Sequence, residues 1–165
     1  YGGTGTGSPS PSSSPSSSPT TPACPATGNL AQGRPATASG STQTYGAGNV
    51  VDGNADSYWE SANNAFPQWV QVDLGCQAVV KRLVLELPPA AAWGARSETV
   101  AVQGSADGAS FATVVGATAY GFDPASGNTV TVHLPATGAR YLRLTFTANS
   151  GWPAGQLSEL QAFGS

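Results

Sequence analysis

Residues 68–87 read QWVQVDLGCQAVVKRLVLEL, and this stretch decides the fold. Apolar side chains occupy every second position near both of its ends. These positions are Val70, Val72, Leu74, Leu83, Leu85 and Leu87. A period of two is typical of a β-strand that buries one face. We therefore predict strands over residues 68–74 and 81–87.

Five more short runs alternate in the same way and are separated by turn residues. They read TVAVQGS at 99–105, SFATVV at 110–115, NTVTVHL at 128–134, ARYLRLTF at 139–146 and LSELQAF at 157–163. Ala106-Asp107-Gly108, between the first two runs, is a hairpin-turn signal. The chain holds 21 Gly and 13 Pro and shows no sustained helical period, so we predict an all-β sandwich.

Residues 1–23 have a different composition from the rest of the chain. They are rich in Ser, Pro, Thr and Gly and contain no charged residue. Such a segment cannot bury a core, so we predict a disordered, extended linker followed by one folded domain at 24–165. The linker is typical of secreted proteins. Because the chain opens with Tyr1 rather than Met, we expect it to be a piece of a longer protein.

The charge of the chain excludes several partners. Its net charge is -3 and Lys81 is the only lysine, which leaves no basic footprint for nucleic acid. It also leaves no polybasic patch for an anionic membrane surface, and no apolar run is long enough to span a bilayer. We expect a secreted, monomeric domain that binds no nucleic acid and does not rely on a membrane.

Two cysteines, Cys24 and Cys76, have no neighbouring histidines or cysteines that would suggest a metal cluster. The extracellular character of the linker favours a disulfide between them. In the chain-entropy model, closing a loop of about 53 residues stabilises the fold by roughly 4 kcal/mol. Two buried free thiols are the alternative.

Four motifs in order carry a family resemblance. They are DGNADSYW at 52–59, QWVQVDLG at 68–75, QGSADG at 103–108 and SEL at 158–160. Together they resemble the discoidin family, also called coagulation-factor type C domains, and most closely the family 32 carbohydrate-binding modules of bacterial secreted glycosidases. The resemblance implies a jelly-roll-like β-sandwich of about eight strands with ligand loops at one end. It also implies a non-catalytic module that anchors a covalently linked, polysaccharide-degrading enzyme to its substrate.

The resemblance further implies a structural calcium site. The side chains of Asp52, Ser57 and Glu159 match its ligands, and the backbone carbonyls of Asn49, Asn54, Ser57 and Ser158 match the others. Calcium takes six to eight oxygen ligands, and Gly53 allows a sharp bend between them. Glu159 would join the last strand to this early loop. An ordinary turn without an ion is the alternative.

Loop residues supply the candidate sugar-binding side chains. Trp59 corresponds to a buried residue of the family, whereas Trp93 and Trp152 lie in small-residue loops with no obvious core to fill. An aromatic face can stack on a sugar ring while polar side chains bind its hydroxyls. The polar candidates are Tyr45, Glu60, Asn63, Asn64 and Arg96. The alternatives are indoles folded back over the sandwich and polar residues that are merely solvated.

Glu60 bears on the identity of the sugar. Galactose-binding relatives often carry His directly after the buried Trp, and Glu60 occupies that position. A glutamate there suits a pair of glucan hydroxyls or a cationic amino sugar such as chitosan. We predict a neutral glucan, because the loops hold two tryptophans and no evident second carboxylate. Chitosan- or galactose-type binding in the same site is the alternative.

Catalysis and lipid or protein binding are the alternatives to sugar binding. A glycoside hydrolase needs paired carboxylates, but the chain has nine acidic residues, of which Asp52 and Glu159 are assigned to the ion, and no nucleophile motif. A phospholipid- or protein-binding discoidin domain would use an exposed apolar residue beside a cation, as Trp93 with Arg96 could. Six cationic residues in the whole chain make that a poor fit.

Overall fold

The computed structural model describes Cys24 and residues 27–165; the predicted linker at 1–23 lies outside the described residues. Eight strands and three short 3₁₀ turns occur in this part of the chain. The strands are β1 (Ala36–Ala38), β2 (Trp59–Glu60), β3 (Gln68–Glu86), β4 (Arg96–Ser105), β5 (Ala112–Phe122), β6 (Thr129–Asn149), β7 (Gln156–Leu157) and β8 (Glu159–Phe163). The 3₁₀ turns are Ala47–Val51, Ala91–Trp93 and Pro124–Ser126. No helix in the described part is long and apolar enough to cross a membrane.

All strand pairs are antiparallel. The main sheet has the order β1-β3-β6-β4-β5, and β8 pairs with β3 as well. Strands β2 and β7 form a separate two-stranded ribbon. The hairpin predicted at 106–108 joins β4 to β5. The prediction of an all-β, discoidin-like sandwich of about eight strands is confirmed.

Strands β3 and β6 are longer than their sequence patterns indicated. Residues 68–74 and 81–87 were predicted as separate strands, but β3 runs through both with register shifts between Asp73 and Ala78 and between Val80 and Arg82. The early part of β3 pairs with β1, and its later part pairs with β8. Such bulges bend a strand without ending its pairing. Gly75 lies at the first of these shifts, with a φ of 75° that a glycine adopts without strain, and the strand continues through it.

The predicted inward faces form the core. The side chains of Val70, Val72, Leu74, Leu83, Leu85, Leu87, Leu142, Leu144 and Phe146 are fully buried. Trp59 is buried as expected, donates its indole N–H to the Gly40 carbonyl over 3.0 Å and packs on Phe146 with ring centroids 5.4 Å apart. Val130, also predicted to point inward, is only half-buried. One apolar core thus underlies the described domain.

The predicted disulfide between Cys24 and Cys76 is present, with the two Cα atoms 5.3 Å apart. Cys76 lies in the bulged middle of β3 and is buried. The bond therefore joins the start of the domain to β3. In this way the cross-link reaches the core of the sandwich.

Candidate ligand-binding cleft and cation site

The β2–β7 ribbon positions the candidate site. Glu60 and Gln156 lie opposite each other in the ribbon, next to the buried pair of Trp59 and Leu157. The run predicted as one strand at 157–163 is interrupted at Ser158, so that its start pairs with β2 and its remainder with β3. A cleft of about 260 Å³ opens beside the ribbon. Its lining residues are Tyr58, Glu60, Ala92, Trp93, Arg96, Trp152 and Gln156.

Four of the predicted sugar-site residues line this cleft: Glu60, Trp93, Arg96 and Trp152. The indole of Trp152 is 49% exposed. Trp93 is half-buried and stands edge-on to Tyr58, with ring centroids 4.7 Å apart. The structure thus brings together two tryptophans from loops almost sixty residues apart, and it leaves Trp152 as the more open ring.

The other three predicted residues lie outside the lining. Asn63 accepts a hydrogen bond from the indole N–H of Trp152 over 2.7 Å and donates one to Glu60 over 3.2 Å, so it orients both. Tyr45 stacks on Tyr58 with centroids 4.5 Å apart and ring planes 14° apart. Asn64 is exposed, and its backbone N–H donates to the Pro153 carbonyl over 2.7 Å, which holds the Trp152 loop close.

The floor of the cleft carries one charge of each sign. Gln156 donates from Nε2 to Oε1 of Glu60 over 2.9 Å. Its own Oε1 accepts from Nη1 of Arg96 over 2.8 Å. Arg96 also donates from Nη2 to the Trp93 carbonyl, and its guanidinium carbon lies 5.0 Å from the Trp93 ring centroid. The polar floor is therefore an ordered network rather than a set of independent solvated side chains.

Sequence reasoning missed three lining residues, Tyr58, Ala92 and Gln156. Tyr58 directly precedes the buried Trp59, so period-two alternation through β2 could have placed it on the same face as Glu60. Burial, with the neighbouring Tyr45 hydroxyl, raises the pKa of Tyr58, which stays uncharged. No sequence signal marks Gln156, because its position opposite Glu60 depends on how distant segments pair.

The loop at 52–57, where a cation site is predicted, is tied together by hydrogen bonds of its own residues. Asp52 accepts hydrogen bonds from the Asn54 backbone N–H over 2.9 Å and from the Ser57 hydroxyl. Gly53 has a φ of 75°, a left-handed conformation that a glycine adopts without strain. Asn49 donates its side-chain amide to the Tyr58 carbonyl over 2.9 Å. The loop therefore folds tightly around the Asp52 carboxylate.

Glu159 brings a buried carboxylate close to Asp52 and Gly53 of this loop. Glu159 is 2% exposed, and neither of its carboxylate oxygens has a hydrogen-bond partner; the buried Ser158 hydroxyl has none either. Burial, followed by the adjacent Asp52 carboxylate, raises the pKa of Glu159 to about 8. The neighbouring carboxylates of Asp52 and Glu159 fit a hard cation such as Ca²⁺. Within the described residues no three His, Cys, Asp or Glu side chains cluster, so hydroxyl and backbone oxygens would supply the other ligands.

These features define a class of protein: an antiparallel, discoidin-like β-sandwich with a cleft at one end that is walled by loop aromatics. The F5/8 type C domain profile matches residues 35–160, and the chain belongs to that family. The family resemblance read from the four motifs is thereby confirmed. No curated protein sequence matches the chain.

Carbohydrate-binding modules are among the solved structures that resemble this chain. Chitosan-binding module 1 of a chitosanase/glucanase from Paenibacillus sp. IK-5 is 28% identical, with a TM-score of 0.66 over 83% of this chain and 99% of that one. Module 2 of the same enzyme, in complex with chitotriose, is 27% identical, with a TM-score of 0.64 over 82% and 100%. A family 32 module from Clostridium perfringens, in complex with GalNAc-β-1,3-galactose, shares the fold at 22% identity, with a TM-score of 0.67 over 82% and 99%.

Proposed function

We propose that this chain is a non-catalytic carbohydrate-binding module that anchors a secreted polysaccharide-degrading enzyme to its substrate. The observation that carries the proposal is the state of Trp152. Its indole is held by Asn63 yet remains 49% exposed beside an open cleft. A pre-oriented, solvent-facing ring next to hydrogen-bonding side chains suits a sugar ring with hydroxyls at its edge. The chitosan-binding relatives support the same class of ligand.

A neutral glucan is the ligand that the polar floor favours. Both oxygens of Glu60 already accept hydrogen bonds from amides, those of Gln156 and Asn63. The guanidinium of Arg96 lies in the same cleft and would repel an ammonium group. Chitosan is the second candidate, because the relatives at 27–28% identity are chitosan-binding modules and Glu60 supplies a carboxylate.

The anchoring role depends on a tether rather than on chemistry in the cleft. Glu60 is the one carboxylate among the lining residues, whereas glycoside hydrolysis uses a pair. The Ser- and Pro-rich segment at 1–23 would join the module to a catalytic domain, and its residues 8–23 alone would space the two by roughly 50 Å if extended. Tethering makes the second encounter with the polysaccharide intramolecular and raises its effective concentration.

Affinity gels test the proposal. The full chain should be retarded by a neutral α- or β-glucan, and Trp152→Ala should lose about tenfold or more in affinity because a stacking surface is removed. Trp69→Ala is the matched control, since Trp69 stacks on Arg143 (4.1 Å from the guanidinium carbon to the ring centroid) and does not line the cleft. Equal retardation of the wild type and Trp152→Ala, or retardation by no polysaccharide, would contradict the proposed site.

We also propose that the loop at 52–57 and the Ser158–Glu159 segment hold a structural calcium ion. Chelation should lower the melting temperature, and adding calcium back should restore it. At a free calcium concentration of about 100 times Kd, a single site stabilises the fold by about 2.7 kcal/mol. Glu159→Gln should melt at the same temperature with and without chelator. A wild type whose melting is also unaffected by chelation would refute the calcium site.

A further inference from the structure

Gln156 links the two charged residues of the cleft. Its side chain is 3% exposed, and its amide bonds to Glu60 at one end and to Arg96 at the other. Asn149 donates a further hydrogen bond to Oε1 of Gln156 over 3.2 Å. The charges of Glu60 and Arg96 are thus held apart by a single buried side chain.

Only a primary amide satisfies both neighbours at once. Arg96 has donors alone and needs an acceptor, whereas the Glu60 carboxylate accepts here from two amides and needs donors. A glutamate at position 156 would keep the acceptor for Arg96 but would bring a second negative charge against Glu60. An apolar residue there would remove one hydrogen bond from each of the two charged groups. The two neighbours therefore determine the orientation of the amide.

The backbone of Gln156, like its side chain, is hydrogen-bonded to a neighbouring strand. Its N–H donates over 2.9 Å to Oε1 of Glu98, a fully buried residue of β4. The ribbon register places it opposite Glu60. Neighbouring side chains on one face of such a ribbon lie close enough to interact directly. Gln156 is therefore pre-organised in the absence of any ligand.

We propose that Gln156 is a specificity-determining residue of the cleft: it joins Arg96 to Glu60 and occupies one oxygen of Glu60, and so makes the cleft selective for uncharged sugars over cationic amino sugars. The inference rests on the proposed function and adds the residue that controls the charge of the ligand. Both oxygens of Glu60 accept a hydrogen bond from an amide, one from Gln156 and the other from Asn63. An incoming ammonium would have to displace these donors and approach the guanidinium of Arg96.

The test is Gln156→Glu, which changes one polar group and adds one negative charge to the floor. The measured quantity is the ratio of Kd for soluble chitosan to Kd for the neutral polysaccharide that the wild type binds best. We expect this ratio to fall by about tenfold or more relative to the wild type. Gln77→Glu adds the same charge at an exposed position of β3 and should leave the ratio unchanged. Arg96→Gln, which removes the cation instead, should lower the ratio as well and covers the case in which Gln156→Glu fails to fold.

The outcomes separate the inference from the proposed function. If the wild type binds no polysaccharide, the proposed function fails and the inference with it. If the wild type binds a neutral polysaccharide and the ratio stays within about twofold in every folded cleft variant, the role of Gln156 is refuted while sugar binding stands. A wild type that already prefers chitosan also overturns the inference. A Gln156→Asn variant that keeps the wild-type ratio would be evidence against the bridge from Glu60 to Arg96, because the shorter amide cannot reach both partners.

Discussion

At the scale of single residues, the buried carboxyl group of Glu98 supports the cleft from within the core. Glu98 lies in β4 with its carboxyl group fully buried; Oε1 accepts the Gln156 backbone N–H and Oε2 has no partner. Burial raises the pKa of Glu98 well above its usual range, and the bond from Gln156 and the charge of Arg96 oppose this only in part. The folded protein therefore binds the Glu98 proton more tightly than the unfolded chain does.

This raised pKa makes a pH-dependent prediction for Glu98→Gln. Because the folded pKa lies above the unfolded one, the contribution of Glu98 to stability is present below the ordinary carboxyl pKa and is lost as pH rises toward the raised value. Glutamine keeps the acceptor for Gln156 but cannot ionise. We expect the free energy of unfolding of the variant, relative to the wild type, to increase with pH. Urea unfolding between about pH 4 and pH 8 measures this, and a difference that is constant with pH would contradict it.

At the scale of elements, the β2–β7 ribbon packs directly on the aromatic core. Gly155 precedes β7, and a Cβ built there would lie 3.0 Å from Cγ of Phe146 and 3.1 Å from Cη2 of Trp59. A glycine is therefore needed for the ribbon to approach these two rings. Gln156 is the next residue in the chain. The close approach of Gly155 to the core therefore also positions Gln156 in the cleft.

Gly155→Ala should therefore destabilise the domain and disturb the cleft together. We expect a loss of about 1–3 kcal/mol in the free energy of unfolding, because the added methyl group overpacks a rigid core. Gly116→Ala in β5 is the control, since nothing lies within 4 Å of a Cβ at that position. Chemical unfolding and affinity gels measure the two effects. Equal stability of the two variants would show that the core yields more easily than the close contacts indicate.

At the scale of the whole molecule, several links tie the early chain to the later strands. The Leu30 backbone N–H donates to the Ala162 carbonyl over 2.8 Å, and the Asn29 side chain accepts from the Ala162 N–H over 3.0 Å. The disulfide attaches Cys24 to the middle of β3. The described domain is thus closed by backbone pairing at β8 and by a covalent bond.

Replacing both cysteines with serine should destabilise the domain without changing its fold. The chain-entropy model expects a loss of about 4 kcal/mol for a loop whose ends are 52 residues apart. Denaturant unfolding of the double variant, compared with the wild type under oxidising and reducing conditions, measures the loss. The reduced wild type is the control and should match the variant. A double variant as stable as the oxidised wild type would contradict a stabilising role for the bond.

The amino-acid sequence by itself determined the all-β class, most of the core and the family. Alternation of apolar residues is a local property, so Val70, Val72 and Leu74 could be assigned to a buried face before any pairing was known. Composition likewise predicts a linker at 1–23, which lies outside the described residues. The loop settings of Trp93 and Trp152 indicated where aromatic rings would meet solvent, and both line the cleft.

Only the tertiary structure decided that β3 and β6 each run through two apparent strands, and which polar residues meet in the cleft. A β-bulge and a turn can have similar local sequences. They are distinguished by whether the flanking residues stay paired with the same neighbouring strand. Gln156 lies opposite Glu60 through strand register, and Arg96 reaches it from β4. Such contacts depend on how segments far apart in the chain pack together, which no local pattern of residues encodes.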